Sequence, residues 1–333
     1  NDGTCTPLSG IRSSIYQFRI IYKNADGRAP QSIKLVLDPG ASGERSIDLT
    51  PQGTAPINYV AGVTYGYDTT ANELAVGSHT YRFEATDGLT PVQTTTYNGP
   101  TVANATLSLT APTTGSLSPQ VGPPSTTFTY QVVYANADNN APEKVQVVID
   151  GTAYDMTRAT TSTDYRVGVL YEYKFRFSRD EQKRSHVYYF QAKDIVNPDT
   201  VRYPATGTLT GPQLNTAFFV VTGIAQPPSP VGGPIVVGGT VTITGRLDTN
   251  TAVGAQTIPV QLVRPDGSGV NESVVTASDG SFSYTSSTVL DQTGDWKAKF
   301  SWNGVSGTYD ATSLEAPFTV TGVSVSLASG VLD

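Results

Sequence analysis

Apolar and polar positions alternate along most of this chain with a period of two. Tyr16, Phe18, Ile20 and Tyr22 alternate with Gln17, Arg19 and Lys23, broken only by Ile21, and Phe128, Tyr130, Val132 and Tyr134 repeat the pattern. Ile33, Leu35 and Leu37 continue it, as do Val145, Val147 and Ile149, then Tyr81, Phe83 and Ala85 with Tyr188, Phe190 and Ala192. Successive side chains of an extended strand point to opposite faces, so this period predicts strands with one buried and one wet face. No window of helical period competes. Asp-Gly, Asn-Ala-Asp and Gly-Pro punctuation between the short runs points to antiparallel sandwiches.

The pattern is also written twice. FRIIYKNADGRAP, Phe18 to Pro30, returns as YQVVYANADNNAP, Tyr130 to Pro142. Aligned without gaps, Pro7 falls on Pro119, Gly10 on Gly122, Ser13 on Ser125, Tyr22 on Tyr134, Asn24-Ala25-Asp26 on Asn136-Ala137-Asp138, and Asp38 on Asp150. The match resumes at His79 to Asp87 against His186 to Asp194 and closes with Gly99-Pro100 against Gly211-Pro212. A third segment, Ala217 to about Val320, differs in sequence but alternates alike, with VVGGTVTITGRL (Val236 to Leu247), the turns RPDGS (Arg264 to Ser268) and SDGSFSY (Ser278 to Tyr284), and DWKAKFSW (Asp295 to Trp302). Pro227, Pro228, Pro230 and Pro234 are expected to stiffen the approach to it. The expected architecture is therefore all-β: three tandem antiparallel β-sandwich domains over residues 1–103, 104–213 and 217–322, followed by an extended tail, 323–333.

These motifs carry a resemblance. The two copies resemble an Ig-like repeat common in large bacterial and archaeal surface proteins, in which a strand runs into Asn-Ala-Asp, then Ala-Pro, then an alternating strand ending in Asp, and later Gly-Ser-His-Thr-Tyr and Gly-Pro. The third segment resembles bacterial Ig-like modules carrying Arg-Pro-Asp-Gly-Ser and Ser-Asp-Gly-Ser-Phe followed by Gly-x-Trp, here Gly294 to Trp296. The resemblance covers nearly the whole chain. It implies an Ig-like fold and a setting in stalks, spacers or lattices, and it assigns no reaction.

Composition narrows the partners. Charged residues make up 15% of the chain, against roughly 25% in ordinary soluble domains, so the surface is mainly uncharged and polar. A net charge of −7 without any Lys/Arg-rich run leaves no positive stripe for nucleic acid. No apolar stretch approaches the roughly 18 to 20 residues of a membrane span. NDGTC lacks the charged and apolar regions of a signal peptide, so any such peptide is expected to have been removed or to lie outside this numbering. The single Cys5 cannot form an internal disulfide, and scarce cysteine suits an exported bacterial or archaeal surface protein.

Candidate chemistry is thin. His79 and His186 start equivalent strands, each preceded by Ser and followed two residues later by Tyr, which points to scaffold rather than catalysis. Cys5 aligns with Leu117 and reads as a small packed position. Asp26, Asp87, Asp138, Asp194, Asp266 and Asp279 sit in turns, where Asp bonds local backbone. The run SRDEQKRSH, Ser178 to His186, reads as a solvated loop. Asn136, Asp138 and Asp150 could offer oxygen ligands to Ca²⁺, the one candidate cofactor, as could Asn24, Asp26 and Asp38, where Arg28 adds a repelling charge. The sequons at Asn104 and Asn271 are expected in a linker and a loop, open to glycosylation. Lys23, Lys34 and Lys144 are candidates for isopeptide crosslinks by strand position.

The tail, VSVSLASGVLD, places Val323, Val325 and Leu327 in one alternating row after what should be the last strand. An extended terminus can complete a neighbour's sheet, and head-to-tail contacts of that kind make filaments. The expected function is a non-enzymatic, extracellular or cell-surface structural protein that self-associates into a filament or surface layer. The alternative is an adhesin or carbohydrate-binding module that meets surface glycans through Tyr59, Tyr65, Tyr67, Tyr154, Tyr165, Tyr171 and Tyr173.

Overall fold

A computed structural model describes residues 3–53, 57–197, 199–227 and 231–323. Val325 and Leu327 of the tail row, with Pro228 and Pro230, lie outside the described residues. Strands account for all of the regular structure described, and they form six sheets that face each other in pairs around three hydrophobic cores.

In the first domain one sheet runs in the order Thr4–Thr6, Gln17–Tyr22, Val63–Asp68 and Thr50–Pro51. The facing sheet runs Ser9–Ile11, Tyr97–Ala103, Gly77–Thr86, Ser32–Leu37 and Arg45–Asp48, with Pro91–Gln93 lying on Gly77–Thr86. The opening segment is thus split between the sheets: Thr4–Thr6 pairs antiparallel with Gln17–Tyr22, and Ser9–Ile11 pairs parallel with Tyr97–Ala103. The second domain repeats the plan. Phe128–Ala135 and Val169–Phe175 centre one sheet, while Ser185–Asp194 lies between Leu209–Leu214 and Pro142–Ile149 in the other. In the third domain Ala217–Ala225, Thr242–Thr249 and Ser281–Thr285 face a sheet ordered Ile235–Val236, Thr312–Thr321, Gly294–Trp302, Thr257–Val263 and Gly269–Val275. The split first strand and its parallel partner recur in all three. This is the Ig-like sandwich.

Alternation explains why these residues form strands. Phe128–Ala135 buries every second residue, and Phe128, Tyr130, Val132 and Tyr134 are all fully buried. Their aromatic bulk meets Tyr188 edge-on from the facing sheet, the ring centroids of Tyr130 and Tyr188 lying 5.0 Å apart.

Two expectations are corrected here. Pro227 and Pro234 do not precede the third domain but fall inside it, between Ala217–Ala225 and Ile235–Val236, where the chain crosses from one sheet to the other. Proline has no N–H to leave unpaired at such a crossing. Asn271 lies on the strand Gly269–Val275 rather than in a loop, opposite Gln261, because the Arg264–Ser268 turn ends sooner than its polar sequence suggests. That strand is the sheet's edge and Asn271 is exposed; Asn104, in contrast, is half-buried between the first two domains.

Trp296 is the largest fully buried side chain of the third core, and its indole N–H donates to the Gln292 carbonyl. Trp296→Ala should lower the stability of this domain by about 3–5 kcal/mol. Calorimetry should show one of the unfolding transitions moving down in temperature while the others stay.

Candidate functional site

The junctions between domains are built on acids that receive backbone N–H groups. At the end of the first domain next to the second, Ser13 donates its N–H to Asp138 Oδ1 at 2.8 Å, and Ala105 of the connecting chain donates to Oδ2 at 2.6 Å. Asn136 holds the same chain from the other side, its amide donating to the Ala105 carbonyl and to Asp194. Asp138 and Asn136 are buried. At the next junction Ser125, the counterpart of Ser13, donates its N–H and hydroxyl to Asp310 of the third domain. Arg184 reaches Asp248 at 3.2 Å, and the Asn250 amide donates to the Leu214 carbonyl. The run Ser178 to His186 is therefore not all solvated loop, since Arg184 belongs to this junction and Lys183 pairs with Asp150.

The proposed Ca²⁺ ligands do not converge. Asp150 sits beyond the strand Pro142–Ile149 from Asp138, and eight residues of strand span about 26 Å. Both Asp138 oxygens already accept N–H groups, a donor set that repels a cation. Asp87, Asp194, Asp266 and Asp279 accept from the backbone of their own turns, as expected.

Asp150 and its counterpart Asp38 instead hold the two histidines. His79 Nδ1 lies 2.8 Å from Asp38 and its Nε2 lies 2.9 Å from the Ala75 carbonyl. His186 repeats the arrangement with Asp150 and the Lys183 carbonyl. Both partners of each ring are acceptors, so only the protonated ring can donate to both. Burial alone would lower the His79 pKa, but the Ala75 carbonyl, the Asp38 hydrogen bond and the Asp38 charge outweigh it and hold the ring above the usual range. At Asp150 burial likewise opposes, but Lys183, His186 and the Val187 N–H keep the carboxyl below the usual carboxylate range. Cys5 is buried, and that burial pushes its thiol up to about 11.

The first and second domains differ at one edge. In the second, the strand Ser108–Thr110 pairs with the end of Phe128–Ala135, Ser108 opposite Ala135, Leu109 opposite Tyr134 and Thr110 opposite Val133. Leu107 and Leu109 enter the core. By the gapless alignment these residues correspond to positions ahead of Asn1. The matching edge of the first domain, at Ile21–Lys23, carries no strand on that side among the described residues. A cleft of about 350 Å³ opens there, lined by Ile20, Tyr22, Ile33, Phe83 and Val92. Exposure follows: Tyr134 is fully buried while Tyr22 is only half-buried, and Val92 is 57% exposed where its counterpart Val201 packs on the core. Sequence reading missed this cleft.

The seven tyrosines of the adhesin alternative do not form an exposed platform. Tyr65, Tyr165 and Tyr171 are buried, and Tyr59, Tyr67, Tyr154 and Tyr173 are half-buried. Val323 is 61% exposed at the end of the third domain.

No protein-family model matches the chain, and no curated protein matches it in sequence. Among solved structures it is similar to a tetra-tandem repeat from the extending region of a large adhesion protein, at 14% identity, covering 93% of this chain and 70% of that one with a TM-score of 0.29. It is also similar to the mouse nectin-like molecule 4 ectodomain, at 8% identity, 96% and 99% coverage and a TM-score of 0.32. A third likeness is to the major pilin subunit of Bacillus cereus, at 11% identity, 91% and 97% coverage and a TM-score of 0.24. At these values the likeness is one of fold.

Two outcomes are expected. Asp138→Ala takes the acceptor from the buried Ala105 N–H, at a cost of about 1–3 kcal/mol, and from the partly buried Ser13 N–H, so small-angle scattering should show a looser angle between the first two domains. A histidine held charged by the fold stabilises it fully below the unfolded-chain pKa of 6.5, and that stability is lost as pH rises through the raised folded value. The melting temperature of the wild type should therefore fall with rising pH across that window, and more steeply than that of His79→Asn.

Proposed function

We propose that this chain is a non-enzymatic structural protein of the cell exterior whose copies join end to end, by strand addition, into a filament or surface layer. One observation carries the reading: the third sandwich closes its last strand at Thr321, and the alternating apolar row of the sequence that follows starts at Val323, which is 61% exposed. Unpaired edges recruit strands, and main-chain hydrogen bonds supply the affinity. The contact joins unlike surfaces, so it propagates rather than closes.

Other features support the class. Each imidazole is engaged at both nitrogens and the thiol is buried, which leaves no free histidine base or cysteine nucleophile among the described residues. Acid-to-backbone bonds at both junctions suit an arm of fixed geometry. A low charge fraction and a single cysteine suit an exported surface protein. No cofactor enters this reading.

Negative-stain electron microscopy tests it. The chain at moderate concentration should form fibres or sheets, and a chain ending at Gly322 should not. Separate three-beaded rods in both samples would replace the reading with that of a spacer or adhesin arm.

A further inference from the structure

We infer that His186 sets the second junction through its protonation: the charged ring holds the Lys183 carbonyl and so aims Arg184 at the third domain, and the neutral ring releases it. The inference concerns a single molecule and stands apart from the polymer reading above.

The connection is short. His186 is buried, with Nδ1 2.5 Å from Asp150 and Nε2 3.0 Å from the Lys183 carbonyl. The peptide unit that carries this carbonyl also carries the N–H of Arg184. From there Arg184 donates to the Thr216 hydroxyl at 3.0 Å and to Asp248 at 3.2 Å, and its guanidinium lies 5.7 Å from the centre of the Phe218 ring. Phe218 and Asp248 stand opposite each other on Ala217–Ala225 and Thr242–Thr249, strands of the third domain. Turning one peptide unit beside His186 therefore moves an anchor seated on another domain.

Only the charged ring can donate to both acceptors. A neutral ring has one proton, and the Asp150 carboxylate claims it, because a lone pair is worse placed against a charged oxygen than against a carbonyl. Nε2 then faces the Lys183 oxygen without a proton between them, and the carbonyl turns away. The groups around the ring keep that order. Lys183 Nζ and the Val187 N–H also donate to Asp150. Its carboxyl, held below the usual range, stays ionised as histidine titrates, and these donors leave it no seat for a cation. Phe177 covers the ring, the two centroids lying 4.1 Å apart. Tyr130, on the facing sheet, and Tyr188, on the strand of His186, are both raised by burial, Tyr188 to about 12, so neither phenol titrates with the imidazole.

The first domain supplies the control. His79 is held in the same way by Asp38 and the Ala75 carbonyl. Two residues before each histidine stand Arg184 in one domain and Gly77 in the other. Both lie beside the last strand of their domain, Gly77 opposite Val102 and Arg184 accepting the Leu214 N–H at its carbonyl. Gly77 has no side chain to extend, and the body of the first domain reaches the second through Ser13 and Asp138 instead. His79 therefore titrates without moving an anchor on its neighbour.

Single-molecule energy transfer on the full chain, at concentrations too low for assembly, tests the inference. Dyes on Thr157→Cys with Ser273→Cys report the second junction, and on Thr50→Cys with Thr157→Cys the first; all three positions are exposed and Cys5 is buried. From pH 5.5 to 8.5 ordinary carboxylates and lysines keep their charge. Over that range the displaced population of the second junction should rise about tenfold, as expected for the loss of one buried hydrogen bond, while the first junction keeps its distribution. Arg184→Ala, at a side chain 35% exposed, should show the displaced distribution at both ends of the range. His79→Asn should respond as the wild type does, and it leaves His186 as the sole imidazole, so the midpoint of its ring signal in NMR should coincide with the midpoint of the junction change. A second junction indifferent to pH, a response that survives Arg184→Ala, an equal response at the first junction, or two separate midpoints would each overturn the inference, and none of them bears on whether copies join into fibres.

Discussion

Every backbone N–H and C=O that leaves water must find a partner, and in a two-sheet sandwich that demand is hardest to meet at the edges. The second domain meets it at Val133–Ala135 with Ser108–Thr110, and the same strand carries Leu107 and Leu109 into the core. Pairing and burial are therefore supplied by one segment. Among the described residues of the first domain no such strand pairs at Ile21–Lys23, and Tyr22 is half-buried where Tyr134 is fully buried.

The duplication makes the chain its own control. Asn24-Ala25-Asp26 and Asn136-Ala137-Asp138 share their turn geometry, so the contrast between an exposed Asp26 and a buried Asp138 comes from what lies against them. A buried carboxylate is costly unless its oxygens are filled, and Ser13 and Ala105 fill both. Such a contact is directional as well as stabilising. Ser125 and Asp310 apply the same solution at the next junction with a third domain of different sequence, which marks the serine turn as the constant half of the device.

Much of the fold was legible because alternation is a local property: Phe128, Tyr130, Val132 and Tyr134 announce their strand without reference to any other residue. The doubled Asp and His positions were also visible, and the structure shows why they travel together, since Asp38 holds His79 as Asp150 holds His186. What stayed hidden depends on distant partners. Asp138 reads as a turn residue because Ser13 is far away in sequence, and Arg184 reads as solvated because Asp248 belongs to another domain. The prolines from Pro227 look like a linker, yet the strand Ala217–Ala225 before them already belongs to the third sandwich. The tyrosines look available on paper, but alternation alone does not say which face a half-buried ring will take.

The charge of the chain bears on how such a molecule would associate. With a net charge of −7, copies packed side by side would bring like charge together along their whole length, whereas tip-to-tip contact brings together only the ends. Backbone pairing is indifferent to that charge, and the residues Val323–Ala328 carry none. Within the chain both junctions are likewise made at domain ends, through a carboxylate that takes backbone N–H groups.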